Sequence, residues 1–240
     1  MSGLPDDRRL FEAMDRTWAP AEIRYSGPWL LRRGLGGGKR VSSASANGSF
    51  TDKDIDLAER ELDAMNQPPL FLIQGENSAL DDALERRGYR IVDPVLLFVG
   101  KSSVIGQEQT KPLEAIPCEL PLAMQKEIWR KNGISDPRID VMKRTEGPKT
   151  YLFARHEAKP AGAAFVACDK EIAMLHALVV DPSMRRAGIA NKIMRKAANW
   201  ASENGADYLS VVTTGENLPA QGLFEQLGME IVGNYHYRAK

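Results

Sequence analysis

Leu178-Val179-Val180-Asp181-Pro182-Ser183-Met184-Arg185-Arg186-Ala187-Gly188-Ile189-Ala190-Asn191 runs from a β-branched apolar stretch through a sharp turn to a glycine that opens a long amphipathic segment. Beyond it Ile193, Met194, Ala197, Trp200 and Ala201 continue the apolar face of Ile189 at helical spacing, so the run reads as strand, loop and helix start. The first amides of a helix lack an intrahelical acceptor and lie at the positive end of its dipole, which makes this junction a cradle for an anion such as phosphate. Gly188 lets the main chain approach a ligand without a Cβ, and Ala190 leaves room beside it. Arg185 and Arg186 can add charge to outer phosphates.

Outward from this junction, strands are expected at 150–156, 161–168 and 172–180, joined by the tight turns 157–160 and 169–171 as consecutive antiparallel hairpins. Helices are expected at 121–132 and 136–143 before them. After the long helix come a strand at 207–213, a helix at 219–227 closed by Gly228, and a strand at 230–236. The polar stretch between Val99 and Pro117 suits a connector. Upstream of it the pattern gives strands at 29–32, 40–46, 70–73 and 90–99, with helices at 54–66 and 78–87. The order is that of an α/β protein. An offset of 140 residues lays Gly75-Glu76-Asn77 over Gly215-Glu216-Asn217, Glu85 over Glu225, Gly88 over Gly228 and Ile91-Val92 over Ile231-Val232, which points to a duplicated fold.

Arg185-x-x-Gly188-x-Ala190 after a strand ending Val-Val-Asp-Pro resembles the Q/R-x-x-G-x-G/A signature of the GCN5-related N-acetyltransferases. The segment Asn217-Leu218-Pro219-Ala220-Gln221-Gly222-Leu223-Phe224-Glu225-Gln226-Leu227-Gly228-Met229 is similar to that family's second motif, and the likeness covers about residues 112–240. The resemblance implies an acyl-CoA N-acyltransferase-like α/β (α+β) fold, with a mixed, largely antiparallel sheet flanked by helices, in two similar domains. Residues 1–100 would be a degenerate acetyltransferase-like copy, 101–112 a linker and 113–240 the acetyltransferase domain. Direct acetyl transfer from acetyl-CoA to a small-molecule or peptide amine is the implied reaction, with no metal.

On the same likeness Leu178, Val179 and Val180 would offer backbone groups to the acetyl and pantetheine portions where two parallel strands splay apart. Arg185, Arg186, Ala187, Gly188, Ile189, Ala190 and Asn191 would hold the pyrophosphate, and Asn217 and Phe224 would flank the sulfur end. The family often has tyrosine where Phe224 stands, and a phenyl ring cannot protonate a departing thiolate. The general acid is therefore unassigned, with Tyr235 and Tyr237 as candidates, and a non-catalytic CoA-binding regulatory or structural module is the alternative reading. The general base is unassigned too; His176, on the strand before the loop, is a candidate because imidazole titrates near neutrality, against a packing role. Asn217 can also cap the helix that follows it.

The rest of the 240 residues excludes other classes. Thirty-two Lys and Arg balance 32 Asp and Glu, so there is no electrostatic footprint for nucleic acid. The longest strongly apolar run, Val95-Leu96-Leu97-Phe98-Val99, is far too short to span a bilayer, and the acidic N-terminus is unlike a secretory signal, so a cytoplasmic protein is expected. Cys118 and Cys168 form neither a CxxC nor a zinc pattern. Gly34-Leu35-Gly36-Gly37-Gly38-Lys39-Arg40 lacks the first glycine and the Ser or Thr of a phosphate-binding P-loop and is read as a hairpin connection. Asp52, Asp54 and Asp56 enrich a first helical turn; they lack the Gly and Glu of a calcium loop.

Overall fold

Eleven strands join one sheet in the computed structural model, which describes residues 3–75, 78–108 and 113–240. In chain order the elements are α1 (Asp7–Thr17), β1 (Glu22–Ser26), β2 (Trp29–Arg33), β3 (Ala44–Ala46), α2 (Asp52–Ala64), β4 (Leu70–Gln74), α3 (Ser78–Arg86) and β5 (Arg90–Lys101). They continue with α4 (Ser102–Ile105), β6 (Ala115–Cys118), α5 (Ala123–Lys131), α6 (Asp136–Arg144), β7 (Lys149–His156), β8 (Lys159–Asp169) and β9 (Ile172–Val180). The last four are α7 (Ile189–Glu203), β10 (Tyr208–Thr214), α8 (Leu218–Gln226) and β11 (Glu230–Ala239). The strand order is β1-β2-β3-β4-β11-β5-β10-β9-β8-β7-β6, mostly antiparallel, with parallel pairs at β3–β4 and β9–β10.

The expected hairpins 150–156, 161–168 and 172–180 are present as β7, β8 and β9, with Glu157, Ala158 and Lys170 taking the positive φ angles that tight turns demand. At the centre the last strands of the two halves are exchanged: β11 lies between β4 and β5, and β5 lies between β11 and β10. The exchange obeys the 140-residue offset. Tyr235 pairs with Gln74 as Val95 pairs with Thr214, and the Gly75 amide donates to the Asn234 carbonyl (3.0 Å) as the Gly215 amide donates to that of Pro94 (2.9 Å). An approximate two-fold axis thus passes near the Val95–Tyr235 pair.

Side-chain alternation sends Leu209 and Val211 of β10 to one face, where Ile193, Met194 and Ala197 of α7 and Phe224 of α8 cover them. Val212 goes to the other face, beside a core in which Leu10, Phe11 and Met14 of α1 pack on Val95, Leu97, Tyr235 and Tyr237. Farther along, Trp129 of α5 and Ile139 of α6 cover Tyr151, Phe153 and Phe165. Gly162 lets α7 close on the sheet: a Cβ there would sit 2.8 Å from the Val179 carbonyl and 3.1 Å from Ile193.

Several elements differ from expectation. The strand expected at 40–46 is a single 3-10 turn at Lys39–Val41 followed by the short β3, because Val41 turns inward to full burial. α1 and β1 were not anticipated. The stretch read as connector carries α4 and β6, anchored by the Ser102 amide on the Asp207 carbonyl (2.8 Å). No helix among the described residues is long and apolar enough to cross a membrane.

Candidate functional site

β9 and β10 run parallel but pair only from Ile172–Tyr208 to Leu175–Val211. Past that point β9 stays on β8, where an irregularity at Ala163–Phe165 and a left-handed Ala177 (φ 52°) bend it away. The Ala177 carbonyl is held by the indole N–H of Trp129 at 2.9 Å. Leu178 and Val180 then face α7, while His176, Ala177 and Val179 lie on the opposite side. A wedge opens between the strands, with Leu178–Val180 on one edge and Val212–Thr214 on the other.

At the mouth of the wedge the chain makes a tight 3-10 turn over Pro182–Met184, fixed by Asp181, whose carboxylate accepts from the Ser183 amide (2.9 Å) and hydroxyl (2.6 Å). Gly188, at φ 73°, occupies the left-handed region and caps α7; an added Cβ there would meet no atom within 4 Å, so the space above it is open. The Lys192 amide takes the Gly188 carbonyl at 3.1 Å, leaving the amides of Ile189, Ala190 and Asn191 ahead of the helical ladder. Val180, Arg185, Arg186, Gly188, Ile189, Ala190 and Asn191 line a cleft of about 590 Å³, whose far wall is α8 through Pro219, Gly222, Leu223 and Gln226. Arg185 and Arg186 point to solvent.

The second motif contributes differently. Phe224 does not line the cleft: it is buried with its ring edge against Phe98, 5.3 Å between centroids. Asn217 begins α8 without a side-chain capping bond; its amide nitrogen donates to the Thr213 hydroxyl at 3.1 Å, tying α8 to the β10 edge of the wedge. His176 is sealed in the core. An Arg40 guanidinium N–H donates to its Nδ1 (3.0 Å), and its Nε2–H donates to the Thr17 hydroxyl (2.9 Å), which in turn donates to the Ala13 carbonyl (2.7 Å). Burial, reinforced by the Arg40 charge, pulls its pKa well below the usual imidazole value. Both ring nitrogens are engaged, so it cannot take a proton from a ligand in the wedge.

A second cavity, of about 300 Å³, sits on the opposite face of the sheet at the same wedge. No single stretch of sequence signals it, because it gathers short pieces from across the chain: Gly38, Lys39 and Arg40; Asp93 and Val95; Arg138; Val212–Thr214; and Tyr235 and Tyr237. The two tyrosine rings meet edge to face at 5.6 Å, and burial raises the pKa of both hydroxyls, so both stay protonated. Asp93, the one carboxylate on this lining, pairs with Lys39 at 2.6 Å. Among the described residues no three His, Cys, Asp or Glu side chains come together as metal ligands would.

Residues 119–229 match the acetyltransferase (GNAT) family. An uncharacterized N-acetyltransferase of Bacillus subtilis (strain 168) is 26% identical over 248 residues, spanning 98% of this chain and 99% of that protein. A GCN5-related N-acetyltransferase from Kribbella flavida superposes with a TM-score of 0.70 at 17% identity, covering 97% of this chain and 94% of the other. A tandem GNAT protein from the clavulanic acid biosynthesis pathway superposes with a TM-score of 0.61 at 10% identity, over 93% and 84% of the two chains.

Proposed function

We propose that this chain, whose residues 119–229 match the acetyltransferase (GNAT) family, is an N-acetyltransferase that draws the acetyl group from acetyl-CoA and passes it directly to a small amine. The observation that carries this reading is the parting of β9 from β10 beyond Leu175–Val211, directly beside the open N-terminus of α7. The amides of Ile189, Ala190 and Asn191, with Arg185 and Arg186, would hold the diphosphate. The edge Leu178–Val180 would guide the thiol-bearing tail through the wedge, and the cavity on the far face would receive the amine.

Acetyl-CoA supplies an activated thioester carbonyl. The protein's part is to bring the amine lone pair onto that carbon, so that a C–N bond forms as the C–S bond breaks and its electron pair leaves on sulfur. No histidine or glutamate lines the acceptor cavity. On this reading the ammonium proton leaves through water, and Tyr235 or Tyr237, both still protonated, returns one to the sulfur in place of the phenol that Phe224 lacks. Residues 1–100 are then a copy of the fold without the anion loop, joined through 101–112 to the working unit 113–240, and they wall the acceptor cavity with Lys39, Arg40 and Asp93.

Gly188→Asp tests the cradle, with Gly188→Asn as its neutral match: both are residues that enter the left-handed region more readily than most, and a Cβ at this position has no atom within 4 Å. Calorimetry should show acetyl-CoA binding weakened at least tenfold more by Asp than by Asn; equal affinities would remove the site. Buried Phe224 favours one second reading, a CoA-binding module without turnover, and release of free thiol with a panel of amines separates the two.

A further inference from the structure

Arg138 and Arg40 both line the acceptor cavity, and among the described residues neither guanidinium forms an ion pair with a carboxylate. Among the described residues the Arg138 guanidinium makes no hydrogen bond and no ion pair, although the residue is half-buried, and the group lies against the backbone of Gly38. Arg40 gives one N–H to the neutral His176 ring and stacks over Trp18, 5.0 Å from the ring centroid, which leaves further donors unused. The other arginines withdrawn from solvent are all satisfied: Arg9, Arg32, Arg87, Arg195 and Arg238 by carboxylates, Arg144 and Arg155 by main-chain carbonyls. Burial first and the nearby Arg40 charge second pull the Arg138 pKa below its ordinary value, which agrees with a guanidinium that has no carboxylate in direct contact. Asp93 acts on Arg138 only at a distance: its direct ion pair is with Lys39, and its pull is outweighed by burial and Arg40.

A protein holds two like charges together in a cleft at a cost, and an anionic ligand repays it. Guanidinium forks match the two oxygens of a carboxylate or phosphate. A cavity of about 300 Å³ lies at the small end of ligand sites. We propose that the acceptor is a small amine that also carries a carboxylate or phosphate, and that Arg138 and Arg40 bind this anionic group while its amine points into the wedge. The proposal rests on the acceptor assignment of this cavity made above.

The experiment is thiol release from acetyl-CoA with matched acceptors: α-amino acids against the amines left by removing their carboxylate, and phosphoethanolamine against ethanolamine. The anionic member of at least one pair should be favoured tenfold or more in kcat/KM, and Arg138→Gln should erase that preference through KM, raising KM for the anionic member at least tenfold more than for its neutral partner. Equal use of both members in every pair, or a preference that survives Arg138→Gln, overturns the proposal. Calorimetry with CoA and titration of phosphoethanolamine and N-acetyl amino acids against Trp18 fluorescence run alongside. Loss of CoA binding with the anion titration intact would sink the transferase reading and leave the anion site standing. CoA binding with no saturable anion response, in wild type as in Arg138→Gln, would sink the anion site and leave the transferase.

Discussion

Leu175 and Val211 form the last pair that β9 and β10 make, and the strands diverge from there toward the α7 N-terminus. Val180 stands at the wide end of that divergence, half-buried on the cleft wall. Val180→Trp should fill the cleft without overpacking the core, lowering acetyl-CoA affinity at least tenfold while the melting temperature moves by only a few degrees. Calorimetry and thermal melts check both halves of this outcome.

His176 gives stability a pH dependence. The folded protein keeps its ring neutral while the unfolded chain takes up a proton near pH 6.5, so the unfolded state binds more protons as pH falls through that value. Stability should therefore be full above about pH 7 and decline below 6.5, at up to about 1.4 kcal/mol per pH unit. Urea midpoints at pH 7.5 and 5.5 should separate widely in the wild type and less in His176→Asn; an equal separation would show that the ring is not held neutral.

Tyr235 and Phe224 should respond differently to exchange of ring for phenol. Tyr235→Phe removes a protonated hydroxyl from the acceptor cavity and should cut kcat about a hundredfold if that hydroxyl is the acid, with little change in acetyl-CoA affinity. Phe224→Tyr places a hydroxyl in the packed core against Phe98, where it should cost about 1–3 kcal/mol of stability and leave kcat no higher. A kcat unchanged by Tyr235→Phe passes the proton-donor role to Tyr237.

Residues 113–240 expressed alone lack β5, which leaves β10 and β11 with bare edges, and lack α1, which covers β8 and β9. This fragment should show no cooperative melt and should aggregate. Co-expression with residues 1–108 should restore a soluble, cooperatively melting complex.

How far the sequence reveals this molecule differs from place to place. The strand-loop-helix at 178–201 is legible because its glycine, its turn and its apolar face coincide, and the offset of 140 anticipates the shared pairing geometry of β4–β11 and β10–β5. It does not reveal the exchange of the last strands, since a repeat looks the same whether each copy pairs with itself or with its twin. α1 was missed although Asp6 caps it and Leu10, Phe11 and Met14 form its buried stripe, because arginines and acidic residues interrupt the pattern. β1 is exposed along most of its length and has no alternation to read. Arg40 ends a glycine-rich stretch that reads as a hairpin connection, while Arg138 lies about 100 residues away; only the fold brings the two to one cavity. His176 misled because sequence cannot show that Arg40 and Thr17 occupy both of its nitrogens.

The interleaving of β5 and β11 also sets a timetable for biosynthesis. When the ribosome has released the first hundred residues, β4 and β5 are both without their β11 neighbour, and β10, the other partner of β5, is also still to come. The nascent chain must keep two apolar strands from sticking to other molecules until roughly 130 more residues emerge, and every native contact at the centre of the sheet then closes a long loop. Slow maturation and a marked need for chaperones during overproduction follow from that arrangement of strands.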